Sequence, residues 1–399
     1  MLPAAERANQ HMVDRLITEG ALWSPDLIGA FRATPRHRFL DRVYQYQRKR
    51  DRWRELLTRD PGEDELRLIY SDRALITHVS SAGRQGSGVP ISSSSQPSLM
   101  AQMLEDLRLM SGLQVLEIGS GTGFNAALLA FVISPGEVVS VDVDREVLSE
   151  AWDHLRAFPD RKVSLKHADG REGFVEAAPY DRIMVTAATP DLEPAWLEQL
   201  AEGGILLAPL VLAPGLAFIV RGTVCKGEFL GRLTRAAYFM PLRAEGERGE
   251  AEDCPWPLAA EMHTVQAPWA GWFDRRRPRG NWLDFIQALV FFGHVRGLAV
   301  QHRSPQAGEP MYGLNDRGTV CWLGSSEWQV NGEPARELGW ALWRAFLDAG
   351  GPRPTEYTLR ASPIDTYVAV QGQGFHLRGS LCEQYWEQVD PIERSIPFE

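Results

Sequence analysis

Four consecutive serines, Ser92–Ser95, stand directly before Gln96 and Pro97, where an apolar stretch with helical spacing begins. Short hydroxyl groups can donate hydrogen bonds to a carboxylate without bringing in a competing charge. A carboxylate, with an ordinary pKa of about 4, is already an anion at neutral pH and needs no general base before it attacks an electrophile. The tract therefore predicts a site that orients a substrate carboxylate. The alternative is that the serines cap the helix that begins near Pro97.

A glycine-rich loop, Gly119–Gly123, lies between the apolar run Val115–Ile118 and the helix-forming stretch Phe124–Ala130. Glycine lets the backbone approach a ligand more closely than any residue with a Cβ atom. A strand, a glycine turn and a helix begin a doubly wound α/β domain, in which ligands lie beyond the carboxyl ends of the strands. The loop therefore predicts a ligand site, although a tight turn without a ligand has the same pattern.

The residues around this loop favour one class of ligand. Asp142 ends the next apolar run at about twenty residues beyond the loop, where an acid that binds a ribose is expected. A dinucleotide loop would have a third glycine where this chain has Phe124, and Glu117 would repel a pyrophosphate but not a cation. S-adenosylmethionine has no phosphate, carries a sulfonium and an ammonium group, and offers a ribose diol to Asp142.

Two further apolar runs extend the α/β pattern. Val163–Lys166 is followed by Asp169 and Gly170, and Ile183–Val185 is followed by small residues suited to the floor of a pocket. Alternation of such runs with helical segments predicts a doubly wound, Rossmann-like sheet.

Composition limits the class of partner. The chain has 399 residues, enough for two domains, with 44% hydrophobic and 24% charged residues. Its formal net charge of −10 disfavours general binding to nucleic acid, so small molecules or peptides are expected. The N-terminal segment lacks the apolar core of a signal peptide, and we expect a cytoplasmic protein. No metal site is expected, because the four cysteines lie far apart in the sequence, at Cys225, Cys254, Cys321 and Cys382.

Several motifs in order resemble those of the protein-L-isoaspartate O-methyltransferases. The core of the resemblance is "ISSSSQPSLMAQML", "VLEIGSGTGF", "VVSVDVD", "HADGREG" and "YDRIMVTAATPDLEPAWLEQLAEGGILLAPL". The segments "ATPRHRFL" and "FMPLRAEG" are similar to the two ends of that family, so the resemblance covers roughly residues 7–246. It implies a class I methyltransferase fold that uses S-adenosylmethionine and releases S-adenosylhomocysteine.

The resemblance also implies site residues. Cofactor contacts are expected at Glu117, Gly119, Gly121, Gly123, Asp142, Val143, Asp169, Gly170 and Thr186. Ser95, with Ser94 as a helper, is expected to orient the substrate carboxylate. The substrate is expected to be bound by Ile76, Thr77, His78 and Ser93.

The sequence departs from the usual family pattern in two places. Ser93 and Ser94 stand where the family usually has Thr-Ile, and a charged insertion occupies about residues 42–67. With the long C-terminal extension, these features resemble a branch that methylates an aspartate in ribosomally synthesised peptides such as lanthipeptides and graspetides. The prediction is therefore methylation of an aspartyl side chain in a modified peptide, leading through a succinimide to isoaspartate or a retained imide. Repair of isoaspartyl proteins shares every catalytic motif and is the alternative.

The extension predicts a small α+β domain that helps to recognise the peptide. Helices are expected in residues 281–295 and 336–347, a hairpin around Asn315–Gly318, and strands in residues 355–362 and 366–372. We expect this domain beside the mouth formed by Ser94, Ser95 and residues 76–78. The predicted division of the chain is an N-terminal cap segment (1–80), a methyltransferase core (81–246), a connector (247–280) and a C-terminal domain (281–399).

Overall fold

A computed structural model describes residues 3–50, 52–80, 88–245, 247, 262–269, 282–303, 311–364 and 374–389. Its helices are α1 (Ala4–Thr18), α2 (Pro25–Ala33), α3 (Glu63–Ile69), α4 (Pro97–Asp106), α5 (Phe124–Ile133), α6 (Arg145–Leu155), α7 (Pro194–Gln199), α8 (Trp282–His294) and α9 (Glu333–Asp348). Its first eleven strands are β1 (Arg42–Gln47), β2 (Arg52–Leu57), β3 (Leu75–Val79), β4 (Pro90–Ser94), β5 (Gln114–Ile118), β6 (Glu137–Asp142), β7 (Val163–His167), β8 (Tyr180–Val185), β9 (Leu200–Ala213), β10 (Leu216–Cys225) and β11 (Glu228–Ala236). The others are β12 (His263–Gln266), β13 (Ala299–Arg303), β14 (Met311–Asp316), β15 (Thr319–Leu323), β16 (Glu327–Val330), β17 (Tyr357–Pro363), β18 (Phe375–Arg378) and β19 (Cys382–Gln388). None of the helices in this part of the chain is both long enough and apolar enough to cross a membrane.

A ten-stranded sheet forms the centre of the molecule, in the order β18-β19-β17-β11-β10-β9-β8-β5-β6-β7. The strands from β9 to β7 in this order are parallel, and the remaining pairs are antiparallel. Both faces are covered: Leu116 and Ile118 of β5 belong to the apolar cluster on one face, whereas Val115 packs with α4 and α5 on the other. Burial on both faces explains the continuous apolar runs of these strands. The predicted Rossmann-like α/β fold is confirmed.

A second sheet, in the order β2-β1-β3-β4, carries the serine tract. Ser92–Ser94 lie in β4, which pairs with β3, and the charged insertion contributes the hairpin β1-β2 and helix α3. Helix α4 begins at Pro97, and its first turn is capped by the Asp72 carboxylate, which accepts hydrogen bonds from the Ser98 backbone N–H (2.9 Å) and hydroxyl (2.8 Å). The alternative in which the serines cap this helix is therefore wrong, because the residue at the cap position is Gln96 and Ser92–Ser94 pair with β3 as a strand.

The C-terminal region combines helices with two sets of strands. Strands β12–β16 form a five-stranded antiparallel sheet against which α8 and α9 pack, and β17 extends the central sheet by pairing with β11. Both helices, the β14-β15 hairpin and the first of the two strands lie where the sequence predicts them. The strand expected at residues 366–372 lies outside the described residues, as does most of the connector.

Candidate active site

One cavity of about 360 Å³ lies at the carboxyl ends of β5, β6 and β8, where an open α/β sheet binds its ligands. Five segments form its walls: residues 91–96 of the serine tract, the loop 118–122, residues 141–143, residues 186–187 and the segment 238–243. Further lining residues are Ala74, Ile76, Leu99, Met100, Phe124, Asn125 and Gly170.

The glycine loop meets the cavity through backbone that a side chain would disturb. Gly119 has φ +96°, and a Cβ atom there would lie 2.5 Å from the Thr186 hydroxyl oxygen, which donates to the Gly119 carbonyl at 2.9 Å. Gly121 has φ +50°, and its nearest neighbour across the cavity is the Ser93 carbonyl, 3.5 Å from a Cβ atom built there. Gly123, expected at the cofactor, does not line the cavity; it packs against Ala151 and begins helix α5.

Asp142 lies at the end of β6 beside Val143, and both line the cavity. Its carboxylate accepts hydrogen bonds of 3.1 Å from the backbone N–H groups of Gly121 and Asp144. Burial raises the pKa of Asp142, although these two hydrogen bonds act in the opposite direction. The carboxylate is therefore tied to the glycine loop and still borders the cavity, as a ribose ligand must.

Glu117 does not line the cavity, contrary to expectation. Alternation along β5 directs it to the face that carries α5, where its carboxylate accepts hydrogen bonds from Asn125 (2.7 Å) and Ser140 (2.5 Å). Burial raises its pKa to about 7 despite both hydrogen bonds. Glu117 thus supports the loop from beneath, through Asn125 and through Ser140, which contacts the Ser120 hydroxyl at 2.7 Å. Its carboxylate is fully buried and does not border the cavity in this structure.

Asp169 is also absent from the cavity wall, whereas its neighbour Gly170 is present. The Asp169 carboxylate accepts a hydrogen bond from the backbone N–H of Arg171 and forms an ion pair with the Arg171 guanidinium at 2.7 Å. Burial acts to raise the pKa of Asp169, but the hydrogen bonds from Arg171 outweigh it and the pKa is lowered. The hydrogen-bonding capacity of its carboxylate is therefore used within the turn after β7.

The serines of the tract differ in what their hydroxyl groups contact. Ser94 is buried, and its hydroxyl accepts a hydrogen bond from the Arg36 guanidinium at 3.2 Å. Ser93 and Ser95 are half-buried and line the cavity with Ser94, and the Ser95 hydroxyl has no hydrogen-bond partner among the described residues. The Ser93 hydroxyl also has no hydrogen-bond partner among the described residues, so the structure leaves both Ser93 and Ser95 available to a substrate, and the family resemblance singles out Ser95.

Arg36, which the sequence did not single out, fixes the end of the tract. Its guanidinium is fully buried and donates to the carbonyls of Ser94 (3.1 Å) and Ser95 (2.8 Å), and also to carbonyls of the segment 69–73. Burial lowers its pKa to about 9. The sequence indicated this region only through the segment "ATPRHRFL", and nothing in that segment distinguishes a buried arginine from an exposed one.

Of the other predicted substrate residues, Ile76 lines the cavity, but Thr77 and His78 do not. Both are buried, and His78 Nε2 lies 3.3 Å from the Glu150 carboxylate, which also forms an ion pair with Arg42. A bulge in the β3-β4 pairing between Ile76 and His78 breaks the alternation that would return His78 to the cavity side.

The segment 238–243 was not predicted as part of the site, although residues 239–243 belong to "FMPLRAEG", which resembles one end of the family. It contributes Tyr238, Phe239, Met240, Pro241, Leu242 and Arg243 to the wall. The Arg243 guanidinium donates to the Ile91 carbonyl at 2.9 Å, which connects this segment to the serine strand and brings a cation to the cavity.

Comparisons with known proteins agree with this arrangement. The sequence model of "Protein-L-isoaspartate(D-aspartate) O-methyltransferase (PCMT)" matches residues 68–244. A protein-L-isoaspartate O-methyltransferase from Pectobacterium atrosepticum is 32% identical over 54% of this chain and 86% of its own. A relative of the same name from Ignicoccus hospitalis is 31% identical over 60% of this chain and 99% of its own. The chain belongs to the protein-L-isoaspartate O-methyltransferase family.

A solved structure with the name of this family shares the fold, with a TM-score of 0.53 at 21% sequence identity. The superposition covers 88% of this chain and 96% of the other. That share is larger than residues 1–246 can supply, so the likeness extends into the C-terminal region. A C-terminal region of this type is therefore found in another protein of the family name.

S-adenosylmethionine is the methyl donor of this family, and the cavity residues fit it. The Asp142 carboxylate would accept hydrogen bonds from the ribose hydroxyls, with the apolar Val143 beside it. Gly119 and Gly121 both line the cavity with backbone alone, and this backbone would hold the methionyl part.

Proposed function

We propose that this protein uses S-adenosylmethionine to methylate the α-carboxylate of L-isoaspartyl residues in proteins or peptides. One observation carries the proposal: Ser95, with an unengaged hydroxyl, lines the same cavity as the glycine loop and Asp142. The relatives from Pectobacterium and Ignicoccus, which carry the name of this activity, support it over most of their lengths.

The side chains at the cavity suit transfer to an anion. Bound S-adenosylmethionine supplies a methyl group to a carboxylate oxygen, with the O–C bond forming as the S–C bond breaks. Ser95 would donate a hydrogen bond that holds the carboxylate in line, and no side chain has to remove a proton. Arg243 would attract the anion to the cavity, and the apolar side chains of Met240 and Leu242 would exclude water.

The ester makes the next step possible without further help from the protein. The backbone nitrogen of the following residue attacks the ester carbonyl, methanol leaves and a succinimide forms. Water then opens the ring to aspartate or isoaspartate, so repeated cycles convert isoaspartate to aspartate.

A second candidate is methylation of one aspartyl side chain in a ribosomally synthesised peptide. Ser93 and Ser94 replace the usual Thr-Ile of the family. The β1-β2 hairpin also extends the sheet that contains β4, so that one row of paired residues crosses its four strands: Ser93, Ile76, Tyr44 and Glu55. Such a row would offer contacts along a defined peptide. The C-terminal region does not favour this candidate, because a solved structure with the family name aligns with it as well.

The two candidates separate in one assay of the full-length protein with labelled S-adenosylmethionine. We expect label to enter an isoaspartyl hexapeptide and not the same hexapeptide with ordinary aspartate, the matched control. Methyl transfer to a cyclic, constrained aspartyl peptide, with no transfer to the isoaspartyl hexapeptide, would reject the first candidate function and support the second.

A further inference from the structure

Tyr238 places a large aromatic surface at the cavity. It follows β11 and lines the cavity while 59% of its surface remains exposed. Its hydroxyl donates to the Gly215 carbonyl at 2.8 Å, in the turn between β9 and β10. The ring is therefore held at the mouth with one face available, and aromatic rings contribute much contact area to binding.

The C-terminal region holds this tyrosine in place. Gln287 of α8 is 3% exposed, and its side-chain amide donates to the Tyr238 hydroxyl oxygen at 2.8 Å. Tyr312 of β14 donates to the same Gly215 carbonyl, also at 2.8 Å. His302 of β13 packs so closely on Gly215, which has φ +73°, that a Cβ atom there would lie 2.4 Å from the imidazole. Three side chains of the C-terminal region thus converge on Tyr238 and on the turn that binds it.

We propose that Tyr238 contacts the polypeptide beside the methylated carboxylate, and that Gln287 is a positioning residue through which the C-terminal region controls this contact. The inference rests on the proposed function, because it assigns the substrate-side wall of the same cavity. A buried amide usually finds a partner in the backbone or in another buried group. Gln287 instead donates to the exposed side chain of Tyr238. This hydrogen bond joins the C-terminal region to the methyltransferase half at the place where a substrate chain would enter the cavity.

The test uses the full-length protein and compares Gln287→Leu, Tyr238→Phe and the double variant with wild type. For an isoaspartyl peptide we expect each single variant to raise KM about three- to tenfold, because Gln287→Leu removes the hydrogen bond to the Tyr238 hydroxyl and Tyr238→Phe removes that bond together with the one to the Gly215 carbonyl. The rate at saturating peptide and the dissociation constant of S-adenosylhomocysteine should change less than about twofold. Because the two residues act through one contact, the double variant should be no worse than the poorer single variant.

Gln384→Leu is the matched control, since Gln384 is also a buried glutamine of the C-terminal region but donates to Asp191. It should lower stability and leave KM unchanged. An equal rise in KM for Gln384→Leu, or an unchanged KM for folded Gln287→Leu, would overturn the inference. If Gln287→Leu does not fold, Gln287→Asn makes the same test with a shortened amide. A wild-type protein that methylates no isoaspartyl peptide would instead overturn the proposed function.

Discussion

Neighbouring serines of one tract have different tasks. The Ser94 hydroxyl, at the end of β4, accepts a hydrogen bond from Arg36, whereas the hydroxyl of Ser95, which follows the strand, has no partner among the residues described. Arg36 also fixes the carbonyls of both serines, so the position of Ser95 is set by backbone contacts. The hydroxyl itself is free for a substrate.

Ser95→Ala should therefore impair methyl transfer without weakening the fold. We expect the rate at saturating S-adenosylmethionine to fall about ten- to a thousandfold, the range of a lost positioning contact. The midpoint of urea unfolding should hardly change, because no internal hydrogen bond is lost. Ser326→Ala is the control, since Ser326 is an exposed serine between β15 and β16 whose hydroxyl also has no hydrogen-bond partner among the described residues. A stability loss with normal kinetics would show that Ser95 is structural.

Glu117 gives a prediction for pH dependence. Its pKa is about 7 in the folded protein, above the ordinary value of 4.5, so the folded state binds more protons than the unfolded state between these values. The stability that Glu117 contributes is thus complete below pH 4.5 and is lost as the pH rises through 7. Glu117→Gln keeps the hydrogen-bonding partners Asn125 and Ser140 and removes this titration.

We expect the stability difference between Glu117→Gln and wild type to move in favour of the variant from pH 5 to pH 8. Urea unfolding across this range measures it, and Glu176→Gln at an exposed position is the control. A difference that is constant with pH would contradict the raised pKa.

At the scale of elements, helix α4 depends on a residue far from it in sequence. Asp72 accepts hydrogen bonds from the Ser98 N–H and hydroxyl and from the Gln96 side chain, which together fix the junction between β4 and α4. Asp72→Ala should lower the free energy of unfolding by about 1–2 kcal/mol, as for other lost helix caps. Asp64→Ala, in the exposed first turn of α3, should change it by less than about 0.5 kcal/mol. Equal losses for the two variants would contradict the capping role.

The elements that the sequence predicts well are those with local signals. Strands β5–β8, the glycine turn and helix α5 follow from apolar runs and glycines that lie close together. The serine tract was ambiguous because its strand conformation depends on pairing with β3, which its own residues do not specify. The addition of β17 to the central sheet was not predicted for the same reason, since its partner β11 is distant in sequence.

The candidate site shows the same limit. Asp142 and Gly121 were predicted because the spacing of a glycine loop and an acid is local. The position of Glu117 beneath the loop was not predicted, because both faces of a buried parallel strand are apolar and the sequence does not show which face meets the cavity. Arg36 and Tyr238 were not predicted, since their contacts reach residues far along the chain.

At the scale of the whole molecule, the C-terminal region shares its core with the methyltransferase sheet. Phe291 of α8 packs on Phe218 of β10 with ring centroids 6.3 Å apart, and also on Trp386 of β19 at 5.5 Å. One apolar cluster contains these residues together with Leu116 and Ile183 of the cofactor half. We expect the two parts to unfold together, because the described residues of the C-terminal region form no apolar cluster apart from this shared one, although the methyltransferase half has a second cluster on the other face of the sheet.

Asp191 is the polar link within this shared structure. It is fully buried, and its carboxylate accepts hydrogen bonds from the backbone N–H groups of Leu381 (2.8 Å) and Cys382 (3.0 Å) and from the Gln384 amide (3.0 Å). In Asp191→Asn one carboxylate oxygen becomes an amide NH₂ group, which cannot accept a hydrogen bond from the N–H groups around it. This change should lower the free energy of unfolding by about 1–3 kcal/mol. Asp181→Asn is the control, since its carboxylate accepts one N–H group from Gln114 and it is only half-buried. A smaller loss for Asp191→Asn than for Asp181→Asn would contradict the link.

Removal of everything after residue 245 tests the shared core directly. The shortened chain keeps every lining residue of the cavity, so its cofactor site is complete in composition. It would, however, expose the β11 edge that pairs with β17, together with Leu216, Phe218 and Phe229, which are buried in the full chain. An open strand edge beside a large apolar surface favours association between chains. We therefore expect the shortened chain to form soluble aggregates or precipitate in size-exclusion chromatography, while the full chain does not. A monomeric shortened chain with the unfolding midpoint of the full chain would show that the methyltransferase half folds independently.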